Sequence, residues 1–309
     1  MTLPVRFVES SELDVAAHAA LQQRVFGDVL AENDIPLHRL GPDVFRWKLS
    51  PPEGNGRIAI VEDGGAIIAS CSAYPLELGG EKAWHLCDAA TAPEARGQGH
   101  YGRVMDTLCA ELPRGEWLFA FPNGQSRRAF DTREFLAATT VPLWVRPARG
   151  KVPPTRATSI DAFDETHDEF ATRLPNSGLK AYRSAAYLNW RYGQHPYFRY
   201  QCFELRRDDQ IDGLLVLNRM EARGRISLWV MELLAVDRAA ARELALTARG
   251  IAKEQGCDVV LSMSNVKLPG SLRVPPCFLP KKHVLMVRRA GEPTPKRDWE
   301  VHTGDWDTF

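Results

Sequence analysis

Apolar residues along this chain fall into short strand-like runs and a few stretches at helical spacing, and turn-forming residues separate them. Val5 to Val8 reads as a strand. Ser10 then offers an N-cap for a helix to about Phe26, with Leu13, Ala16, Ala17, Ala20, Leu21 and Val25 on its apolar face. Asp34 to Pro42 reads as a loop, and Asp43 to Leu49 as a short helix stopped by Ser50-Pro51-Pro52. Arg57 to Val61 and Ala66 to Tyr74 flank Glu62-Asp63-Gly64-Gly65, a hairpin signal because glycine accepts positive φ. Lys82 to Ala90 is a largely apolar strand. A glycine-rich turn leads from it into a helix, His100 to Leu112, with Val104, Met105, Leu108 and Leu112 on one face. Trp117 to Phe121 is a further strand ending at Pro122-Asn123, Gly124 to Phe130 a helix, and Val141 to Arg146 the strand expected to close the unit. Pro147 to Pro154 reads as a linker.

The second half repeats the pattern. Leu188-Asn189-Trp190-Arg191-Tyr192 before His195-Pro196 echoes Phe45-Arg46-Trp47-Lys48-Leu49 before Pro51-Pro52. A hairpin signal recurs around Arg207 to Gln210, Ser227 to Leu234 stands where the Lys82 strand stood, and Val260 to Asn265 matches Leu118 to Asn123. Asn265 stands to Asn123 as Trp190 stands to Trp47, to within one residue, which argues for an internal duplication. At the place of the glycine turn the second copy has Val236-Asp237-Arg238 and no glycine.

Composition narrows the function. The 309 residues are 44% hydrophobic and 25% charged, the usage of a soluble globular protein of about two domains. Lys plus Arg and Asp plus Glu are 39 each, so global charge makes no case for nucleic acid or an anionic membrane. The cysteines, scattered without metal-like spacing, read as reduced core residues of a cytoplasmic protein, and no run approaches the 18 apolar residues of a membrane span.

The candidate chemistry lies in Asp88 to Gly102. Strand, glycine turn and helix start make a place for phosphate, because the first helical N–H groups lack partners and the helix dipole favours an anion. Arg96-Gly97-Gln98-Gly99-His100 resembles the acyl-coenzyme A signature of the GNAT N-acetyltransferase superfamily, departing from it at Tyr101, where Gly or Ala is usual and a glycine follows only at Gly102. The resemblance implies an α+β fold of two GNAT-like lobes, each a mixed, mainly antiparallel twisted sheet flanked by helices. The expected divisions are a donor-binding lobe over 1–148, a degenerate lobe over 155–290, and a tail over 291–309, of a form that recurs in bacterial relatives of this tandem type. It also implies that the fourth and fifth strands splay apart to take the pantetheine arm of acetyl-CoA or another acyl-CoA. Ala89, Ala90, Thr91, the turn Arg96, Gly97, Gln98, Gly99, His100, Tyr101 and Gly102, and Asn123 would hold that co-substrate. Asn123 reads equally well as an N-cap. The second copy, with Asp237 at its helix start, is not expected to take a pyrophosphate.

Acyl transfer to an amine needs a base for the ammonium proton, an N–H for the oxyanion and a proton for the thiolate, and requires no metal. Asp88 is the first candidate base, its pKa expected to be raised in the splay, or else it fixes the turn; His85 is the second, or else a satisfied core histidine. The tyrosine that many relatives use as general acid is Phe130 here, which leaves Ser126 and Tyr101 as the hydroxyls at hand. The leading reading is an N-acyltransferase acting on an amine of a small metabolite or sugar. Alternatives are a donor on an acyl carrier protein, docking near Arg96, Arg103, Arg127 and Arg128; a non-catalytic acyl-CoA sensor; and aminoacyl transfer from transfer RNA, which the neutral charge does not favour.

Overall fold

A computed structural model describes residues 3–175, 178–222, 224–279 and 283–306. The first half of the chain forms β1 (Val5–Glu9), α1 (Val15–Glu32), α2 (Pro42–Lys48), β2 (Arg57–Asp63), β3 (Ala66–Leu78), β4 (Glu81–Thr91), α3 (His100–Glu111), β5 (Trp117–Ala120), α4 (Arg127–Asp131), β6 (Leu136–Val141) and β7 (Leu143–Pro147). The second half forms β8 (Thr158–Ile160), α5 (Glu165–Arg173), α6 (Ala185–Leu188), β9 (Gln201–Arg207), β10 (Gln210–Ala222), β11 (Arg225–Ala235), α7 (Arg238–Glu254), β12 (Val259–Met263), β13 (Leu272–Arg273) and β14 (His283–Arg289).

Two seven-stranded mixed sheets result, ordered β1-β2-β3-β4-β5-β14-β6 and β13-β7-β12-β11-β10-β9-β8. Read from opposite ends, the two orders correspond strand for strand. β8 to β12 repeat β1 to β5, and in each sheet one strand comes from the other half of the chain. The hairpins repeat in detail. Gly64 and Gly65 have φ 57 and 83°, and Asp208 and Asp209 take the same left-handed turn at 49 and 65°.

Val141 to Arg146 does not close the first lobe. The chain turns at Pro142, and β7 pairs with β12 of the second sheet, Leu143 opposite Met263. The place beside β5 is taken by β14, with Met286 opposite Ala120 and Arg289 opposite Trp117. Arg289 lies over the Trp117 ring and bonds Glu81 at 2.6 Å, and Glu81 also accepts from the indole of Trp117. One compact unit accordingly comprises Met1–Ala137, His195–Tyr197 and Leu285–Lys296, so no single cut of the chain separates it from the other.

In the first unit α3 packs on β1, β2 and β3, and α1 packs with α2 and against β3 and β4. The inner face of α1 differs from the expected one. Ala16 and Ala20 are exposed, whereas His18 and Gln22 are buried beside Ala19 and Leu21. Asp14 rather than Ser10 caps this helix, its carboxylate accepting from the N–H groups of Ala16 and Ala17. In the second unit Ala240, Leu244, Ala245, Ala248 and Ala252 of α7 pack on Leu205, Leu215, Leu217 and Leu228. Among the described residues no helix is long and apolar enough to cross a membrane.

Strand exchange has a direct test. Residues 3–148 produced alone lack β14, so β5, whose four residues are all buried, becomes an open edge. Circular dichroism should show no cooperative thermal transition for this fragment. A monomeric fragment that melts as cooperatively as the full chain would contradict the pairing of β14 with β5.

Candidate functional site

The site begins where a parallel strand pair ends. β4 and β5 pair only at Ala83–Trp117, Trp84–Leu118 and His85–Phe119. Beyond His85, β4 departs from β5 because of a bulge: Ser72 pairs with Cys87 and Ser70 with Ala90, so Asp88 and Ala89 together oppose Cys71. Asp88 takes the left-handed conformation, φ 49°, that the bulge requires.

Both helices on this part of the sheet hold the bulge. Gln22 of α1 donates to the Asp88 carbonyl at 2.8 Å, and Lys48 of α2 meets the Asp88 carboxylate at 2.8 Å, both side chains 8% exposed. The Cys87 thiol donates to the other carboxylate oxygen. Burial by itself raises the Asp88 carboxyl, but the Lys48 ammonium, helped by His18 and Cys87, outweighs it and holds the group below its usual value. The expected upward shift is thus reversed: a carboxylate already ion-paired is a weak base. His18 lies edge-on to Phe45, and burial pushes its pKa down to about 4 against the pull of Asp88, so the ring is neutral at pH 7. Neither of its ring nitrogens has a hydrogen-bond partner.

The second lobe bears on the role of this carboxylate. β11 and β12 pair in parallel at Ser227–Val259, Leu228–Val260 and Trp229–Leu261 and then separate, with a bulge at Met231. Three residues past the last pair, where the first lobe has Asp88, stands Glu232. It is fully buried and held by Arg183 at 2.8 Å and the Tyr192 hydroxyl at 2.6 Å. A buried carboxylate on a cation therefore accompanies the splay in both lobes.

His85 is 1% exposed, bonded through Nδ1 to the Tyr74 hydroxyl at 2.6 Å and stacked on Phe119 at 4.6 Å. This is the satisfied core histidine. The glycine turn has the anticipated conformation, Gly97 at φ 77° and Gly99 at φ 79°, with open space where a side chain would stand. Gly99 precedes the first residue of α3, and among the described residues no side chain caps that helix start. Arg96 is exposed, Gln98 bonds the Glu94 carbonyl, and His100 is buried with both ring nitrogens unpartnered. Ala90 is buried and Ala89 and Thr91 half-buried along the separated part of β4. In the second lobe Asp237 fills the matching position, accepting from the Ala240 N–H at 2.7 Å and paired with Arg207.

Asn123 uses its carboxamide oxygen as a cap, accepting from the N–H groups of Gln125 and Ser126 at 2.9 Å each. Phe130 is buried edge-on to Phe135. The Tyr101 hydroxyl is buried close to the Ser126 hydroxyl, and burial pushes its pKa well up, with Cys71 adding and Arg133 and the Ser126 hydroxyl opposing. Tyr101 and Ser126, far apart in sequence, are thus neighbours between the start of α3 and the end of β5. Gly102 lies under Arg133, which donates to its carbonyl at 3.0 Å.

Lys48, His18 and Gln22 are the residues around Asp88 that sequence reasoning missed. A signal existed for Lys48, since its counterpart in the repeated Trp-centred segment is also a cation, Arg191. His18 and Gln22 gave none, because a hydrophobic stripe cannot flag polar residues on the inner face.

Two outcomes follow. Lys48→Met strands a buried carboxylate and should cost about 3–5 kcal/mol in urea unfolding, most of it recovered in the double variant with Asp88→Leu. For His18, the folded pKa lies below the unfolded one, so the unfolded chain takes up the proton first. Stability should be complete above pH 6.5 and fall by about 3 kcal/mol as pH drops from 6.5 to about 4. His18→Leu should flatten that part of the stability profile; an unchanged slope would show that His18 is not its source.

Residues 23–133 match the family model described as the acetyltransferase (GNAT) family. No curated protein matches the sequence significantly. The fold is similar to that of a GCN5-related N-acetyltransferase from Anabaena variabilis, 14% identical over 93% of this chain and 73% of that one, with a TM-score of 0.66. A conserved protein from Enterococcus faecalis is 13% identical over 94% and 73%, with a TM-score of 0.67. Saccharomyces cerevisiae N-myristoyltransferase with bound myristoyl-CoA is 10% identical over 93% and 83%, with a TM-score of 0.55. Residues 23–133, which carry the glycine turn beside the splayed parallel pair, thus form a domain of the GNAT acetyltransferase family.

Proposed function

We propose that the chain transfers an acetyl or other short acyl group from coenzyme A to the amine of a small metabolite or sugar, using the first lobe alone. The observation that carries this reading is the uncapped glycine turn at the start of α3, next to a strand pair that separates after His85. Main-chain N–H groups at Gly97 to Gly102 would hold the pyrophosphate, and the gap beside Ala89, Ala90 and Thr91 the arm. The N-myristoyltransferase of the same fold carries myristoyl-CoA, which supports an acyl-CoA donor. The acceptor is inferred from the family chemistry.

Acyl-CoA would supply an electrophilic thioester carbonyl and leave as the thiol. In that reaction the ammonium gives one proton to water, the amine nitrogen bonds to the carbonyl carbon and the carbon–sulfur bond breaks; the thiolate takes a proton from its donor, and the second proton that nitrogen sheds as the amide forms passes through water to restore that donor. Asp88 serves as a positioning residue: with Lys48 and Gln22 it fixes the bulge, and hence the backbone that faces the gap. Tyr101 is the proton donor for the thiolate, its hydroxyl buried beside that of Ser126. A carrier-protein donor is less well supported, because Arg103 is spent on the Leu3 carbonyl and Arg127 on Asp131.

Thermal shift with acetyl-CoA, longer acyl-CoAs and free coenzyme A tests the donor. Ligand at a hundred times its Kd should add about 2.7 kcal/mol of stability, and no shift with any of them would sink the reading. In a coenzyme A release assay over a panel of primary amines, Tyr101→Phe should lower kcat about a hundredfold with the acyl-CoA Kd unchanged. Unchanged kcat would remove Tyr101 from the reaction, whereas a raised Kd alone would assign it to binding.

A further inference from the structure

The second lobe keeps the splay but not the glycine turn, and its gap is filled by the segment Asp298 to Trp306 of the same chain. Beyond Trp229 and Leu261, β11 and β12 no longer pair among the described residues. The segment from Asp298 to Trp306 runs there, with Trp299, Val301, His302, Thr303, Gly304 and Trp306 all buried.

The contacts are those of a bound peptide. Asn265 grips two peptide units of the tail with one side chain, donating to the Trp299 carbonyl and accepting from the Val301 N–H at 2.8 Å. Its own N–H donates to the Val301 carbonyl, as does the Ser264 hydroxyl at 2.7 Å, and the Met263 N–H donates to the Thr303 hydroxyl at 2.9 Å. Asn265 is the repeat counterpart of Asn123, which stands at the mouth of the first lobe's gap. Arg191, the counterpart of Lys48, donates to the carbonyls of Gly304 and Trp306 at 3.0 and 2.6 Å. The bulge cluster closes on the tail as well. Arg183 joins Glu232 to Asp305 at 2.8 and 2.7 Å, and His302 lies 3.7 Å from Glu232 and 3.0 Å from Glu300. Burial alone lowers the His302 pKa, but Glu232 and Glu300 outweigh it and raise the group above its usual value.

Steric fit makes the seat specific. A Cβ on Gly304 would stand 2.7 Å from the Glu232 carboxylate and closer still to the Tyr192 hydroxyl. These two groups are bonded to each other in the interior and have no room to retreat. No side chain larger than hydrogen fits there. What remains of the gap, lined by Val230, Met231, Ser262, Ser264 and His302 among others, is about 10 Å³, room for about one water.

We propose that the second-lobe splay is a peptide-binding site whose ligand is the C-terminal segment of this same chain, an extended peptide of the form Trp-Glu-Val-His-Thr-Gly-Asp-Trp. A pantetheine arm is a chain of two amides, and the tail offers amides to the same gap, so one backbone geometry serves both. The duplicated lobe thereby stays folded around a peptide and is closed to thioesters, which leaves one donor site per chain. The proposal stands apart from the donor reading of the first lobe. Either can fail without the other.

The test uses hydrogen exchange and calorimetry on the full chain and its variants. In the unaltered chain the amides of Trp299 to Gly304 and of Met263 to Asn265 should be protected together. Gly304→Ala and Asn265→Ala should each speed exchange at both segments by at least tenfold while α3 and β3 keep their protection. A chain ending at Lys296 should melt at a lower temperature and regain its stability on adding the synthetic peptide Arg297 to Phe309, but not a peptide with Gly304→Leu. Should the shortened chain fail to fold alone, refolding with and without the two peptides reads the same preference. Equal stability with and without the tail, or no discrimination between the two peptides, would overturn the proposal. So would two equivalents of acetyl-CoA bound by the intact chain.

Discussion

Everything in this protein rests on a parallel strand pair that stops pairing after three residues. A gap between strands exposes backbone N–H and C=O groups that would otherwise be costly to leave unmade, so it persists only where something holds the strands apart and something else satisfies them. The first task falls to the bulge. In the first lobe Lys48 and Gln22 clamp the Asp88 side chain and carbonyl, and in the second Arg183 and Tyr192 clamp Glu232. A buried ion pair gains little net stability over an apolar pair, but losing one partner is costly, which suits it to fixing one geometry against alternatives.

The second task divides the lobes. The first has an uncapped glycine turn where the gap opens, and so suits a ligand that brings its own phosphates. The second has Asp237 on its helix start and the C-terminal segment in its gap. Duplication supplied two copies of one constraint, and the chain's own residues now meet one of them. The recast role of Asp88 follows from this. A carboxylate held by a cation stands at the same step of a lobe that has no glycine turn, where it borders the bulge.

The local elements were legible where physics is local. The hairpins followed from residues that accept positive φ, and the α3 helix from its apolar spacing and the glycine before it. The repeat was legible as well, because Trp47 with Trp190 and Asn123 with Asn265 keep nearly constant spacing. The buried face of α1 was misjudged because hydrophobic periodicity assumes an apolar interior, whereas His18 and Gln22 face a polar bulge. The pKa of Asp88 was misjudged for a related reason. Burial was foreseeable from the strand, but its sign is overruled by a cation forty residues earlier in the chain.

By itself the sequence determined two α+β repeats, a phosphate-ready turn in the first and its loss in the second, since each depends on residues adjacent in the chain. Only the tertiary structure decided which strand neighbours β5, which charges surround Asp88, and what occupies the second gap. Those are pairings between segments remote in sequence, β5 with β14 and Asn265 with Val301 among them, and they are selected by packing and hydrogen-bond satisfaction across the folded molecule. The glycine turn is a feature on which both levels agree, because its conformation is local and open space lies where side chains at Gly97 and Gly99 would stand.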